Sequence, residues 1–179
     1  MSERQASPFW KFSLRFYKID GVAPACLTLQ DRHGIDVNVM LFGLWLAHEG
    51  RTLERADMHY IMDAAESWRT QVVVPLRSVR RILREPADAA GKGAAAFDQE
   101  GALALREKIK VAELEAERLQ QEALFALKPV TEWGAVGEPF AAAAQNLELY
   151  ARSLRAEFDP AASRVMLDGF AKLGSSASA

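Results

Sequence analysis

The chain has 179 residues, half of them apolar and 26% charged, with a formal net charge of -2 and a pI near 6.0. That length fits one domain with a sizeable core, and the near-neutral balance supplies no global field for nucleic acid or an anionic membrane. A single cysteine, Cys26, excludes an intrachain disulfide, and the start Met1-Ser2-Glu3-Arg4-Gln5 lacks the basic and apolar regions of a signal peptide, so a reducing cytoplasm is expected.

Ser7-Pro8 has the form of an N-cap followed by proline at the first helical position. It predicts a helix from Pro8 to about Ile19, ended by Asp20-Gly21. Phe9, Phe12, Phe16 and Ile19 form its apolar stripe, widened by Trp10, Leu14 and Tyr17, and Lys11, Arg15 and Lys18 form its wet face. A second helix is expected from about Val22 to Arg32, with Pro24 in its first turn and His33-Gly34 closing it. Asp36 can cap a third, Val37 to His48, stopped by Glu49-Gly50. This third helix is apolar almost all round, which places it in the middle of a domain. Its apolar run, Val37 to Ala47, is too short for the roughly 20 residues that cross a bilayer. Gly43 would let another backbone come close.

Met58, Ile61, Ala65, Trp68, Val72, Leu76, Val79 and Leu83 step by three and four without a break. The register predicts one long helix from about Asp57 to Glu85, kinked where Pro75 removes a backbone donor. Two helices, or a short strand at Val72-Val73-Val74, are the alternatives. Residues 86–97, rich in Ala with Pro and Gly, read as a flexible connection. Asp98 then starts a long helix to about Lys128, stopped by Pro129. Its seam is Leu105, Ile109, Ala112, Ala116, Leu119, Ala123 and Leu127, and a weaker second stripe runs through Val111, Leu114, Leu124 and Phe125. Glu138-Pro139 opens a further helix with the seam Phe140, Ala144, Leu147, Ala151, Leu154 and Phe158. Asp159-Pro160 opens the last, to about Leu173, and residues 174–179 read as a disordered tail. No strand alternation stands out. The expected fold is all-α: a single-domain helical bundle over residues 1–173, of about seven helices around a short buried central helix, with a long kinked helix and a long helical hairpin in the C-terminal half.

The sequence lacks several chemistries. There is no Glu-x-x-His pair for a di-iron bundle, and three His with one Cys offer no zinc spacing. Gly91-Lys92-Gly93 lacks the glycines and the Ser/Thr of a phosphate loop. No catalytic residue, metal ligand or cofactor is therefore assigned, and the reading leans away from an enzyme. His59, Asp63 and Glu66 have metal-like spacing but point away from the apolar register, as a solvated face does. The segment Gln30-Asp31-Arg32-His33-Gly34-Ile35-Asp36-Val37-Asn38 sets short polar side chains between two apolar helices. Asp36 can be a cap while Gln30 and Asp31 tie down the turn. Alternatively, Gln30, Asp31, Asp36 and Asn38 form a carboxylate-amide ligand site in a pocket between the second, third and fourth helices. Arg77, Arg80, Arg81 and Arg84 make a basic stripe after Pro75, with Arg69 two turns earlier. It suits internal ion pairs, with Asp31 and Asp36 as candidate partners, a ligand site facing the polar segment, or an anionic partner.

The residues Trp10-Lys11-Phe12-Ser13-Leu14, Tyr17, Gly21-Val22, Ala25-Cys26-Leu27, Leu29-Gln30-Asp31, Gly34, Asp36-Val37-Asn38, Leu41-Phe42 and Leu44-Trp45-Leu46-Ala47 carry a resemblance. Together they resemble a proteobacterial family of small proteins known only as a domain of unknown function. The resemblance covers roughly the first half and continues into Pro75-Leu76-Arg77 and Arg80-Arg81. It implies no activity, cofactor or catalytic residue. It does imply that the polar turn and the arginines belong to one shared pattern. Three functions follow as expectations: an interaction or regulatory protein with a protein partner or a second copy, a small-molecule binder or enzyme, and, weakest at this net charge, an anion or nucleic-acid binder. No membrane partner is expected.

Overall fold

The computed structural model describes residues 6–84 and 98–175. The connection expected at 86–97 and the last four residues of the expected tail lie outside the described residues. The helices are α1 (Pro8–Tyr17), α2 (Val22–His33), α3 (Val37–His48), α4 (Arg55–Trp68), α5 (Val74–Ile82), α6 (Gln99–Phe125), α7 (Pro139–Ser153) and α8 (Pro160–Ser175). A π-turn, Arg69–Val73, fills the interval between α4 and α5. Counting α4 and α5 as one interrupted helix gives seven among the described residues, and the fold is all-α.

Caps that the sequence displays start four of these helices. The Ser7 side chain accepts the Trp10 N–H at 3.1 Å ahead of Pro8. The Asp36 carboxylate accepts the Asn38 N–H at 2.8 Å. The Glu138 carboxylate accepts the Phe140 and Ala141 N–H groups, and Asp159 accepts those of Ala161 and Ala162. Each satisfies donors that a helix start leaves over. Gly34 ends α2 in the left-handed conformation, at φ 63°.

The chain divides into two compact units, Met1–Ala65 with Gln121–Ala179, and Glu66–Gln120. In the first, α3 is the centre, with ten consecutive residues from Asn38 to Ala47 buried. Helices α7 and α1 pack along it, and α8 packs on α2 and α7. Phe42 lies edge-on to Phe9 and Trp133 with ring centroids 5.0 and 5.5 Å apart, and stacks on Trp45 at 5.4 Å. A two-residue strand β1 (Arg51–Thr52) pairs antiparallel with β2 (Ala135–Val136), Arg51 opposite Val136. Strands this short show no alternation, so the sequence carries no sign of them. Gly134 makes the approach possible: a Cβ there would stand 1.9 Å from the Thr52 carbonyl oxygen.

In the second unit, Val72, Val73 and Val74 are helical, so the strand alternative falls away. Proline at 75 has no N–H to donate and its ring crowds the carbonyl four residues back. The chain answers with the π-turn just upstream, which loosens the hydrogen-bond ladder where the ring would clash. The helical course thus continues through Pro75 to Ile82.

Candidate functional site

The start of α3 is held by hydrogen bonds on both the backbone and the side chains of its polar residues. The Asp36 N–H donates to the Tyr150 hydroxyl at 2.9 Å, and that hydroxyl donates to the Asp36 carbonyl at 3.1 Å. The buried Asn38 accepts a hydrogen bond from Gln121 Nε2 at 2.8 Å through its side-chain oxygen. The Gln30 carbonyl accepts the Gly34 N–H at 2.9 Å, closing α2. Asp31 is exposed, and its neighbour Arg32 is paired with Asp159. The Ala162 and Ala161 N–H groups and Arg32 together hold the Asp159 carboxyl below its ordinary range.

A second polar cluster in the first unit has no counterpart in the sequence reading. Asn146, 1% exposed, accepts the Leu53 N–H at 2.8 Å and donates to the carbonyls of Gly43 at 2.9 Å and Arg51 at 3.1 Å. The Arg51 guanidinium donates to the carbonyls of Trp133, Thr131 and Gly134. Asp57 accepts the N–H groups of Glu54 and Gly134 and the Lys128 ammonium, which also lies 4.0 Å above the Trp133 ring. One signal could have marked Asn146. It interrupts the apolar positions Ala142, Ala143, Leu147 and Tyr150 on a single face of α7.

In the second unit the arginines after Pro75 meet carboxylates of α6. Arg77 donates to Glu113 at 3.0 Å and to Glu117 at 2.8 Å, and Arg80 donates to both oxygens of Glu113. Burial pushes the Glu113 carboxyl up, but the hydrogen bonds from Arg80 and Arg77 outweigh it and leave it below its ordinary value. Trp68 Nε1 donates to the Ala116 carbonyl at 3.0 Å. Arg81 and Arg84 are exposed. The carboxylates that hold Arg77 and Arg80 are therefore Glu113 and Glu117, whereas the sequence offers Asp31 and Asp36. His59, Asp63 and Glu66 are all exposed, as a solvated face would be.

The seam read from the sequence on α6 has another fate. The buried residues of the helix are Glu113, Ala116, Gln120, Gln121 and Leu124. Leu105 (47% exposed), Ala112, Leu119 (41% exposed) and Ala123 lie open. Apolar periodicity marks a face that can be covered, and here half of it is not. Leu105, Ala112 and Leu119 follow one another at intervals of seven and so form one row along the helix.

The fold and these contacts define an all-helical protein with a closed, polar-pinned first unit and an open apolar row in the second. The chain belongs to the family described as a protein of unknown function, DUF2390, whose model matches residues 8–124. That match spans both the polar segment and the paired arginines. No curated protein and no solved structure matches the chain. Among the described residues no helix is long and apolar enough to cross a membrane.

Proposed function

We propose that the protein is a non-enzymatic interaction module and that the occupant of its docking surface is a second copy of the same chain. The observation that carries this reading is the exposed heptad row Leu105, Ala112 and Leu119 on α6. A row of apolar positions seven apart is one of the two rows of a coiled-coil seam, and such a row gains stability when a partner helix covers it.

Charge and symmetry favour the chain itself as that partner. A two-fold axis at Ala112 brings an antiparallel α6 into register, with Leu105 of each copy against Leu119 of the other. Lys108 and Glu115 flank the row on one side, seven residues apart and nearly centred on the same axis. Antiparallel pairing therefore sets each Lys108 opposite the other copy's Glu115, twice over. A closed two-fold contact also limits assembly to a dimer.

Sedimentation of the full chain over a range of concentrations is expected to show a monomer–dimer equilibrium. Lys108→Glu and Glu115→Lys should each weaken it, and the double variant should restore it. Ala112→Cys should form an intermolecular disulfide on mild oxidation, a test that Cys26 does not confuse because it is buried. A strict monomer in which Ala112→Cys forms no cross-link would overturn the proposal. A dimer indifferent to the charge swap would overturn the antiparallel register. The pocket reading of Gln30, Asp31, Asp36 and Asn38 with Arg77, Arg80 and Arg81 stands as a rival proposal; against it, Asp36 caps α3, Asn38 holds Gln121, and Arg77 and Arg80 are paired with Glu113.

A further inference from the structure

A cavity of about 590 Å³ opens in the first unit between the start of α4 and the end of α7, lined by Arg55, His59, Leu149, Arg152, Ser153 and Arg155. Three arginines and a histidine thus line one space, with no Asp or Glu among its lining residues. Arg152 is paired with Glu148 in an exposed i,i+4 contact that offsets part of its charge, whereas no ion pair is seen for Arg55 or Arg155 among the described residues. Like charges gathered around one space repel one another, and an anion placed among them removes that cost.

The end of α7 makes the arrangement more specific. The Ala156 N–H donates to the Ala151 carbonyl and the Arg155 N–H to the Arg152 carbonyl, both at 3.0 Å. This is the helix-closing pattern whose left-handed position is usually glycine. Arg155 occupies that position at φ 52°, the one residue other than glycine with positive φ among the described residues. A side chain there is disfavoured relative to glycine, whose missing Cβ removes the steric penalty of the left-handed region. That cost holds a guanidinium at the rim of the cavity. Cations at the C-terminus of α7 also complement its dipole, which accounts for Arg152 and Arg155 but leaves Arg55 and His59, on another helix, unexplained. The Ser153 hydroxyl already donates to the Leu149 carbonyl at 2.9 Å, so the arginines and His59 are the donors left to meet a ligand.

We infer that this cavity binds a small phosphate-bearing molecule, its phosphate held by Arg55, Arg152 and Arg155. Guanidinium forks match phosphate oxygens in pairs, and the volume lies within the range of small-molecule sites while exceeding that of a single oxyanion. The site is independent of the self-association proposed above, since it uses no residue of α6.

Titration calorimetry of the full chain with pyrophosphate at low salt tests it. One saturable site is expected. Arg155→Gly should weaken binding at least tenfold while leaving the melting temperature unchanged or raised, because glycine suits the backbone there. Arg55→Ala, on the opposite wall, should weaken binding by a similar factor. Absence of binding to the wild-type chain would overturn the inference, as would binding that both variants retain in full.

Discussion

The two units handle apolar side chains in opposite ways. In the first, the large buried residues close around α3, where the buried Asn146 is hydrogen-bonded to backbone and the buried Asn38 to the Gln121 side chain. Among the described residues of the second, Val73 and Ala116 are the buried apolar ones, while Trp68, Val79, Ile82, Leu103, Leu105, Val111, Leu114 and Leu119 are exposed. Beside them lies the buried carboxylate Glu113, 6% exposed and held by two arginines. Burial of apolar area is the main stabilising force in folding, so the first unit is stabilised chiefly by packing, while the second has less buried apolar area to draw on and places its ion pairs beside what there is. The difference also says where a partner belongs. A surface that has already closed on itself has little left to offer, whereas exposed leucines in register still gain from being covered.

The sharpest way to break this comparison is to remove a side chain from each unit. Phe42 is fully buried among Phe9, Trp45 and Trp133, so Phe42→Ala is expected to cost about 3–5 kcal/mol through lost transfer energy and the cavity left behind. Leu114 is 53% exposed and lies off the proposed dimer row, so Leu114→Ala should stay within about 0.5 kcal/mol. Urea unfolding of both variants measures the contrast. Comparable losses would show that the second unit has a packed core after all.

Charge pairing in the second unit is tested through Glu113. Replacing it with Gln keeps the shape but removes the charge that two guanidinium groups share, at an expected cost of about 1–3 kcal/mol. The pH dependence follows from the sign of the shift. The folded carboxyl titrates below its ordinary value of 4.5 because Arg80 and Arg77 outweigh the effect of burial. A depressed carboxyl contributes its full stability above the unfolded value and loses it as pH falls through the folded one. The stability gap between wild type and Glu113→Gln, measured by thermal melts from pH 7 downward, should therefore be constant at first. It should then close at pH values below about 4.5. A gap that persists in strong acid would rule out the ion pairs as its source.

The legible parts of the fold were those written in local chemistry. Ser7-Pro8, Asp36, Glu138-Pro139 and Asp159-Pro160 each announce a helix start through the donor groups a cap must satisfy, and all four are where the sequence places them. The all-round apolar character of α3 likewise announces a centre. What was not legible depends on residues distant in sequence. Asn146 acts on Gly43, Arg51 and Leu53, and Arg51 acts on Thr131, Trp133 and Gly134. Nothing near any of these positions in the chain shows the pairing. The seam of α6 shows a third limit. Its period could be read, but whether the face was covered could not, because coverage depends on what else is present.

A smaller loss than that at Phe42 or Glu113 decides what the polar segment is for. The Asp36 carboxylate accepts the Asn38 N–H at the first turn of α3, ten of whose residues are buried in succession. Loss of such a cap costs about 1 kcal/mol, and asparagine caps nearly as well as aspartate. Asp36→Ala should therefore lower stability by about 1 kcal/mol, and Asp36→Asn by no more than a few tenths, in chemical denaturation at neutral pH. That pattern fits a capping side chain whose charge is incidental. If instead Asp36→Ala left stability unchanged, the carboxylate would have no structural task, and the rival reading of Asp31, Asp36 and Asn38 as a ligand site would gain what the capping role loses. The first unit would then carry an unexplained charge beside its core, and the contrast between a closed unit and an open one would fail on the closed side.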